Sequence, residues 1–400
     1  MAFIHFDESI EIMNTLEITN YKTSKRYLTD TLGYVLAEDI VPDHNSPAFS
    51  TSAMDGYAIA HKDLKLGRLK ISSINPAGSD LKDVVVSGCC IKTFTGSLMP
   101  LGSDTLIPIE NVTVDGNEIV IHEEVPFGFS VRAIGENYVQ GYKLISKGTK
   151  IDFADIGVMA SLNVVSVLVH EKPRVAILST GSELLELGEI QTSDAQIRSS
   201  NNYILEALVK KYDGEPLQLG CIADDKESIL SGVQKALLQS DIVVTTGGVS
   251  VGDFDFVKDV IVELGCEVLF KGVRVKPGQH IMVAKKENKF IVALPGFAYS
   301  STVTALLYMV PLIAKLQQGK CSLRMVEATL RESFHKRARK AEFTACRYSL
   351  ENGNYFVDFE GKKSGSSAIL TNMLGSTALL ITSEEDESKV VGDRVLILLF

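Results

Sequence analysis

Three short segments carry residue types suited to holding a charged ligand: STGSEL at 179–184, TTGGVSVGDFD at 245–255 and LPG at 294–296. Each follows an apolar run and turns on glycine. Gly247 and Gly248 let a backbone approach a ligand closely, and consecutive N–H groups before a helix starting near Phe254 would form an anion nest. A glycine pair alone is equally a steric strand terminator. Carboxylates accompany the turns: Glu183 after the first, Asp253 and Asp255 after the second, and Asp224-Asp225 after the apolar run 217–222. Acids beside an anion cradle repel a phosphate unless a hard cation bridges them, which points to Mg²⁺ with oxygen ligands. Taken singly, each acid reads as well as a helix N-cap or an exposed charge. In the N-terminal half, STSAMDGYAIA at 50–60 presents Asp55 from a tight turn; Asp-Gly is also an ordinary structural turn.

The elements that must position these residues follow from the apolar pattern. Runs 175–178, 242–245 and 290–294 read as strands buried on both faces, and 203–211, 226–239, 254–264 and 300–316 as helices. Strand and helix in alternation imply a parallel sheet with crossover helices, whose strand carboxyl ends form the binding crevice. Ahead of it, a helix is capped by Asp7 or Ser9 and faced by Ile10, Ile12, Met13 and Leu16. Residues 45–131 are β-rich, with strands at 69–74, 82–86, 105–109 and 118–122, and 153–165 is again helix-compatible. One unit is thus inserted into another. Beyond Cys321, strands 325–330, 342–350, 354–359, 378–381 and 394–399 predict a small barrel or sandwich.

At 400 residues the chain is expected to form several units. Forty Lys and Arg against fifty Asp and Glu give a net charge of −10, and no basic block occurs, which argues against nucleic acid or an acidic membrane surface as partner. The start lacks the pattern of a secretory signal. The most apolar stretches, taken as 156–169 and 395–400, fall short of the roughly eighteen residues of a spanning helix, so a soluble protein is expected. Six cysteines without a CxxC pair suggest free thiols in a reducing cytoplasm, and seven scattered histidines argue against a zinc site.

The segments gain meaning from their order. SAMDGYA at 52–58, TGSLMPLGSDTLIPIEN at 95–111, GEN at 135–137, PRVAILSTGSELLELGE at 173–189, TTGGVSVGDFDFVK at 245–258, GVRVKPG at 272–278 and ALPG at 293–296 make the chain resemble the molybdopterin molybdenumtransferases, the MoeA and gephyrin E-domain family, over essentially its whole length. The resemblance implies an α/β multidomain subunit: a discontinuous linking domain (1–44 and 132–171, its first helix free to pack elsewhere), a β-rich domain (45–131), a central three-layer α/β domain with a mainly parallel sheet (172–320) and a C-terminal β-barrel (321–400). It implies a cytoplasmic homodimer, an Mg²⁺-supported insertion of molybdate into adenylylated molybdopterin with release of AMP, and a molybdopterin adenylyltransferase as substrate donor. Carried over residue by residue, it assigns Asp55, Thr95, Glu183, Asp224 and Asp255 to catalysis, the last three also to Mg²⁺. Ser179, Thr180, Gly181, Gly247, Gly248, Ser250, Pro295 and Gly296 fall on the phosphate or pterin side. Lys276, Arg347 and Ser367, with Pro295, fall on the oxyanion side, where cations neutralise molybdate.

The chain departs from the family's pattern where the oxyanion is expected. GED reads Gly135-Glu136-Asn137, KPGKP reads Lys276-Pro277-Gly278-Gln279-His280, and PGNP reads Pro295-Gly296-Phe297-Ala298. Either the oxyanion is held differently, with His280 helping, or the chain is a paralogue of altered activity. Nucleotidyl transfer to molybdopterin and a non-catalytic molybdopterin-binding scaffold are the competing expectations.

Overall fold

A computed structural model describes residues 3–80, 83–249, 256–363 and 366–400. The chain divides into two compact units, one of residues 39–147 and 161–163, the other of residues 1–38, 148–160 and 164–400.

The smaller unit is built on a six-stranded sheet ordered Thr105–Pro108, Gly56–Ile59, Cys89–Thr93, Arg68–Asn75, Glu118–Ile121, Val112–Asp115. Its core is Tyr57, Ile59, Leu69, Cys90, Ile107 and Ile119. The strand expected at 82–86 is not formed over the described residues 83–86, where Val84 makes a single bridge to Leu101.

The larger unit contains a six-stranded sheet ordered Glu215–Ile222, Arg174–Thr180, Ile242–Thr246, Lys289–Leu294, Met282–Lys286, Glu267–Lys271. The first four strands run parallel. The last two are antiparallel additions that the sequence reading did not anticipate. Their lysines and glutamates mask the strand pattern, and such charges suit an edge. Alternate side chains of the parallel strands face opposite layers. Val175, Ile177, Val244 and Val292 pack on Leu205 and Val209 of the helix Asn201–Lys211 and on the helix Ala298–Leu316. Ala176, Leu178, Val243 and Ile291 pack on Ile229 and Val233 of the helix Lys226–Gln239 and on Val257 and Ile261 of Val257–Glu263. Each fully buried Val, Leu or Ile contributes roughly 1.5–3 kcal/mol, so these three layers fix the strand ends rigidly. The helix Phe6–Thr15 joins the first layer through Met13.

The helix Phe153–Ser161 stops earlier than the sequence suggests: Asn163 takes a left-handed φ of +58°, which ends the helix before the strand Ser166–His170 pairs with Thr23–Tyr27. Ala298–Leu316 is long and apolar enough to cross a bilayer, yet 78% of it is buried inside the fold, as expected of a core helix. At 19 residues it is longer than the stretches singled out from the sequence.

Five strands close the C-terminal barrel: Ala341–Glu351 pairs with Asn354–Asp358, then Arg324–Leu330, Arg394–Leu399 and Thr377–Thr382 follow, the last returning to Ala341–Glu351. Leu330, Cys346, Val357, Leu380 and Ile397 fill it. The two-residue strand Val275–Lys276 pairs Lys276 with Glu342 at the barrel's margin, tying the central layer's turn to the barrel.

Candidate functional site

The parallel register sets Ser179 beside Thr246, and Thr246 beside Leu294, so the strands deliver Thr180-Gly181, Gly247-Gly248 and Pro295-Gly296 to one rim. These turns touch through backbone. The Gly247 N–H donates to the Leu294 carbonyl at 3.2 Å, and a Cβ on Gly296 would stand 3.7 Å from the Gly247 Cα. Gly247 has φ +89°, and a Cβ there would come within 2.8 Å of the Thr180 carbonyl oxygen. Only glycine allows this approach, and it leaves peptide groups lining the rim, the surface a phosphate needs. Ser250 and Asp255, with Asp253 and the helix start expected near Phe254, lie outside the described residues.

A buried polar network supports the rim. Ser179 Oγ donates to Asn202 Oδ1 at 2.6 Å and lies 2.7 Å from Thr246 Oγ1. Asn202 Nδ2 donates to Glu186 at 3.2 Å, as does Tyr203 Oη at 2.7 Å. The Tyr203 hydroxyl holds the Glu186 carboxyl below its usual range. Cys221 borders the network, its thiol pushed up to about 11 by burial and by Glu186, so it is no thiolate nucleophile at neutral pH. Ser179, expected as a ligand contact, therefore has its hydroxyl engaged beneath the rim. Asn202 and Glu186 are not evident from sequence; the available signal is the Asn201-Asn202 pair opening a helix directly after Ser199-Ser200. Asn201 Nδ2 itself donates to the Gly296 carbonyl at 2.7 Å, pinning the Pro295-Gly296 turn.

Of the acids, Glu183 folds its carboxylate over Gly181, where a Cβ would stand 2.8 Å from Oε2. Asp224 follows Ile222, which pairs with Thr180 one strand away. Its neighbour Asp225 is a structural cap, accepting from the Ser228 N–H at 2.8 Å. Among the described residues no group of three or more His, Cys, Asp or Glu assembles as a metal centre. The carboxylates of Glu183 and Asp224 offer oxygen donors alone, the chemistry a hard cation takes.

Asp55 and Thr95 belong to the smaller unit. The Asp55 carboxylate accepts from both the backbone and the hydroxyl of Thr95, which holds its pKa below the ordinary aspartate value.

Pro295 also lines a cavity of about 620 Å³ between the sheet's rim and the barrel. Lys276, His280, Ser300 and Ser367 share its wall. In a chain of net charge −10 this cavity gathers five Lys or Arg side chains against two glutamates, so it favours an anion. One of those glutamates, Glu342, is only 3% exposed and accepts from the Ala338 N–H at 2.7 Å, with Lys276 Nζ at 3.5 Å. Arg347, expected on the oxyanion side, is not among the lining residues. Strand pairing sets it opposite Asp358, and its guanidinium grips Asp358 at 2.9 and 2.8 Å and Glu360 at 2.6 Å. Lys340, which the sequence reading passed over, lines the cavity instead.

Residues 4–163 match the family described as MoeA N-terminal region (domain I and II), and residues 176–315 match that described as probable molybdopterin binding domain. A molybdopterin molybdenumtransferase of Haemophilus influenzae is 33% identical over 309 residues, 76% of each chain. One of Nostoc sp. is 30% identical over 377 residues, 92% of this chain and 86% of that protein. The crystal structure of a molybdopterin biosynthesis moeA protein from Pyrococcus horikoshii OT3 superposes with a TM-score of 0.84 at 29% identity, covering 100% of both chains. On this shared sequence and fold, the chain belongs to the molybdopterin molybdenumtransferase family.

Proposed function

We propose that the chain inserts molybdenum from molybdate into the dithiolene of adenylylated molybdopterin, releasing AMP, in molybdenum cofactor biosynthesis. The observation that carries this reading is the sharing of Pro295 by the backbone-lined rim and the cation-rich cavity. A phosphate-bearing pterin on the rim and a tetrahedral oxyanion in the cavity become neighbours across one turn. The two dithiolene sulfurs displace one oxide of the oxyanion, which leaves as water with the two thiol protons, and a second water attacks the pyrophosphate so that AMP departs and the pterin keeps its own phosphate.

The residues divide the work. Thr180, Gly181, Gly247, Gly248 and Gly296, with Ser250, bind and orient the phosphates. Lys276, Pro295 and Ser367 bound the oxyanion's compartment. Asp55, kept ionised by Thr95, orients the attacking water, delivered by a second copy of the chain in a homodimer. Glu183, Asp224 and Asp255 would hold Mg²⁺, which when bound offsets the pyrophosphate's charge. Six free cysteines suit a reducing cytoplasm, where a molybdopterin adenylyltransferase supplies the substrate.

The test is incubation of the purified chain with adenylylated molybdopterin, Mg²⁺ and molybdate. AMP release that depends on molybdate supports the transfer. ATP consumption with pterin alone would select nucleotidyl transfer instead, and pterin binding without AMP release would select a scaffold.

A further inference from the structure

Between the strands Glu267–Lys271 and Met282–Lys286 the chain makes a loop whose residues 275–280 wall the cavity. Its neck is closed by two backbone bonds: the Gly272 N–H donates to the Ile281 carbonyl at 2.7 Å and the Val273 N–H to the Gln279 carbonyl at 3.0 Å. A loop fixed along one edge of its neck keeps the freedom to pivot there, so what occupies the other edge decides where the wall stands.

The N-terminal segment occupies it. The Ile4 N–H donates to the Gly272 carbonyl at 3.1 Å, and the Arg274 N–H donates to the Ile4 carbonyl at 2.8 Å, which sets Ile4 in a parallel bridge to Val273. At φ +74° Gly272 thus serves Ile281 with its N–H and Ile4 with its carbonyl, a conformation suited to glycine. The Phe3 ring covers Gly272 so closely that a Cβ there would stand 2.3 Å from Cδ1, and it meets the His280 ring edge-on with centroids 5.3 Å apart. Three residues on, Phe6 packs on Phe343, a wall residue from the barrel, at 5.1 Å. Between them His5 Nδ1 lies 3.1 Å from Glu384 Oε1, whose second oxygen takes Arg274 Nε at 2.9 Å.

The segment is anchored behind these contacts. In the helix Phe6–Thr15, the fully buried Ser9 lies 2.8 Å from Tyr308 Oη of the core helix, and Lys315 Nζ donates to the Met13 carbonyl at 2.9 Å. A segment tied down in this way transmits position as a loose tail would not.

We propose that residues 3–6 are a strut for the reaction: Phe3, seated on Gly272 and His280, and Phe6, seated on Phe343, fix the separation of two walls of the cavity and so set how closely the wall groups meet a bound anion. This rests on the reading of the cavity as the oxyanion compartment. None of the four residues lines the cavity, so Phe3 is a positioning residue that acts through Gly272 and His280.

The experiment is steady-state AMP release against molybdate at saturating adenylylated molybdopterin, below the melting temperature of every variant. Phe3→Ala is expected to raise the molybdate KM about fivefold or more, because small misplacements of binding groups are costly, with kcat close to the parent's, the pattern of lost uniform binding. Phe3→Leu, which refills the seat, should restore most of it. Gly272→Ala tests the seat from the other side: its methyl group takes the ring's place, so the same KM defect is expected with Phe3 still present, and the double variant should be no worse than Gly272→Ala alone. Gly265→Ala is the control. It shares a left-handed φ of +69°, with no atom within 4 Å of its Cβ position, so it should lower the melting temperature and leave KM unchanged. A KM within about twofold of the parent's for folded Phe3→Ala, or a defect as large in Gly265→Ala as in Gly272→Ala, would overturn the inference while the parent's response to molybdate upholds the compartment reading. AMP release by the parent that does not respond to molybdate would overturn both.

Discussion

The Asp55 carboxylate receives two hydrogen bonds from a single residue: Thr95 donates its backbone N–H at 2.8 Å and its hydroxyl at 2.7 Å to the same oxygen, Oδ1. The backbone bond is the larger cause of the depressed pKa and the hydroxyl bond the second, with Lys92 adding a weaker attraction. Both donors favour the charged form, so Asp55 stays ionised further into acid than a free aspartate.

Thr95→Ala removes the second cause and keeps the first. The Asp55 pKa should rise part of the way to the ordinary value, and the acid limb of turnover should move to higher pH with it. The sign follows from linkage: a depressed carboxyl contributes stability above its unfolded pKa and loses it as pH falls through the folded one. In the variant that loss begins at higher pH. Carboxyl-carbon NMR and a pH–rate profile check this; an unmoved acid limb would mean that Asp55 does not act as an ionised group.

Asn202 holds the rim from below. It is 1% exposed, accepts the Ser179 hydroxyl and donates to Glu186. Asn202→Ala leaves the Ser179 hydroxyl without that acceptor in a fully buried site. The expected cost is about 1–3 kcal/mol, read by urea unfolding. Turnover should fall more than stability does, because the Thr180-Gly181 turn loses its footing. Equal turnover per folded molecule would count against a positioning role.

How far the sequence announces this structure depends on which side chains carry the signal. Strands such as Ile242–Thr246 are buried on both faces, so they read as continuous apolar runs, and their glycine turns mark the rim. Edge strands such as Glu267–Lys271 mix charge with apolar residues and lose the pattern. At the site the same contrast recurs. Lys340 lies in a loop whose lysines and arginines look like solvated charge, and its partner Gln279 is 61 residues away. Arg347 invites assignment as a ligand because it is a cation in the right region; only strand register shows that Asp358 stands opposite it. Pairings across strands are invisible to spacing along the chain.

Glu183 and Asp225 separate metal chemistry from folding. Glu183→Gln should raise the Mg²⁺ concentration needed for half-maximal AMP release while leaving the metal-free melting temperature near the parent's. Asp225→Ala removes the cap on the helix Lys226–Gln239, so it should lower the melting temperature and leave the Mg²⁺ requirement alone. A titration of AMP release against Mg²⁺, paired with thermal melts, distinguishes them. If the two variants exchanged phenotypes, the metal assignment of Glu183 would fail.

Gly247→Ala tests whether backbone contact between the turns is functional. At φ +89° any side chain is strained, and the new Cβ would meet the Thr180 carbonyl at 2.8 Å and the Thr180 hydroxyl at 2.9 Å. The nearer atom is backbone, so a rotamer change alone cannot relieve the clash, and the Arg174–Thr180 and Ile242–Thr246 ends must part. Gly67 supplies the control. Its φ of +69° carries the same conformational penalty, about 1 kcal/mol, but no atom lies within 4 Å of its Cβ position. Gly67→Ala should therefore lose stability with full turnover. Gly247→Ala should lose turnover and pterin affinity well beyond its loss of stability, since separating the strand ends disperses the N–H groups that face the phosphates. Pterin binding by fluorescence, normalised to the folded fraction, measures the difference, and equal behaviour of the two alanine variants would show that the rim's close packing serves the fold alone.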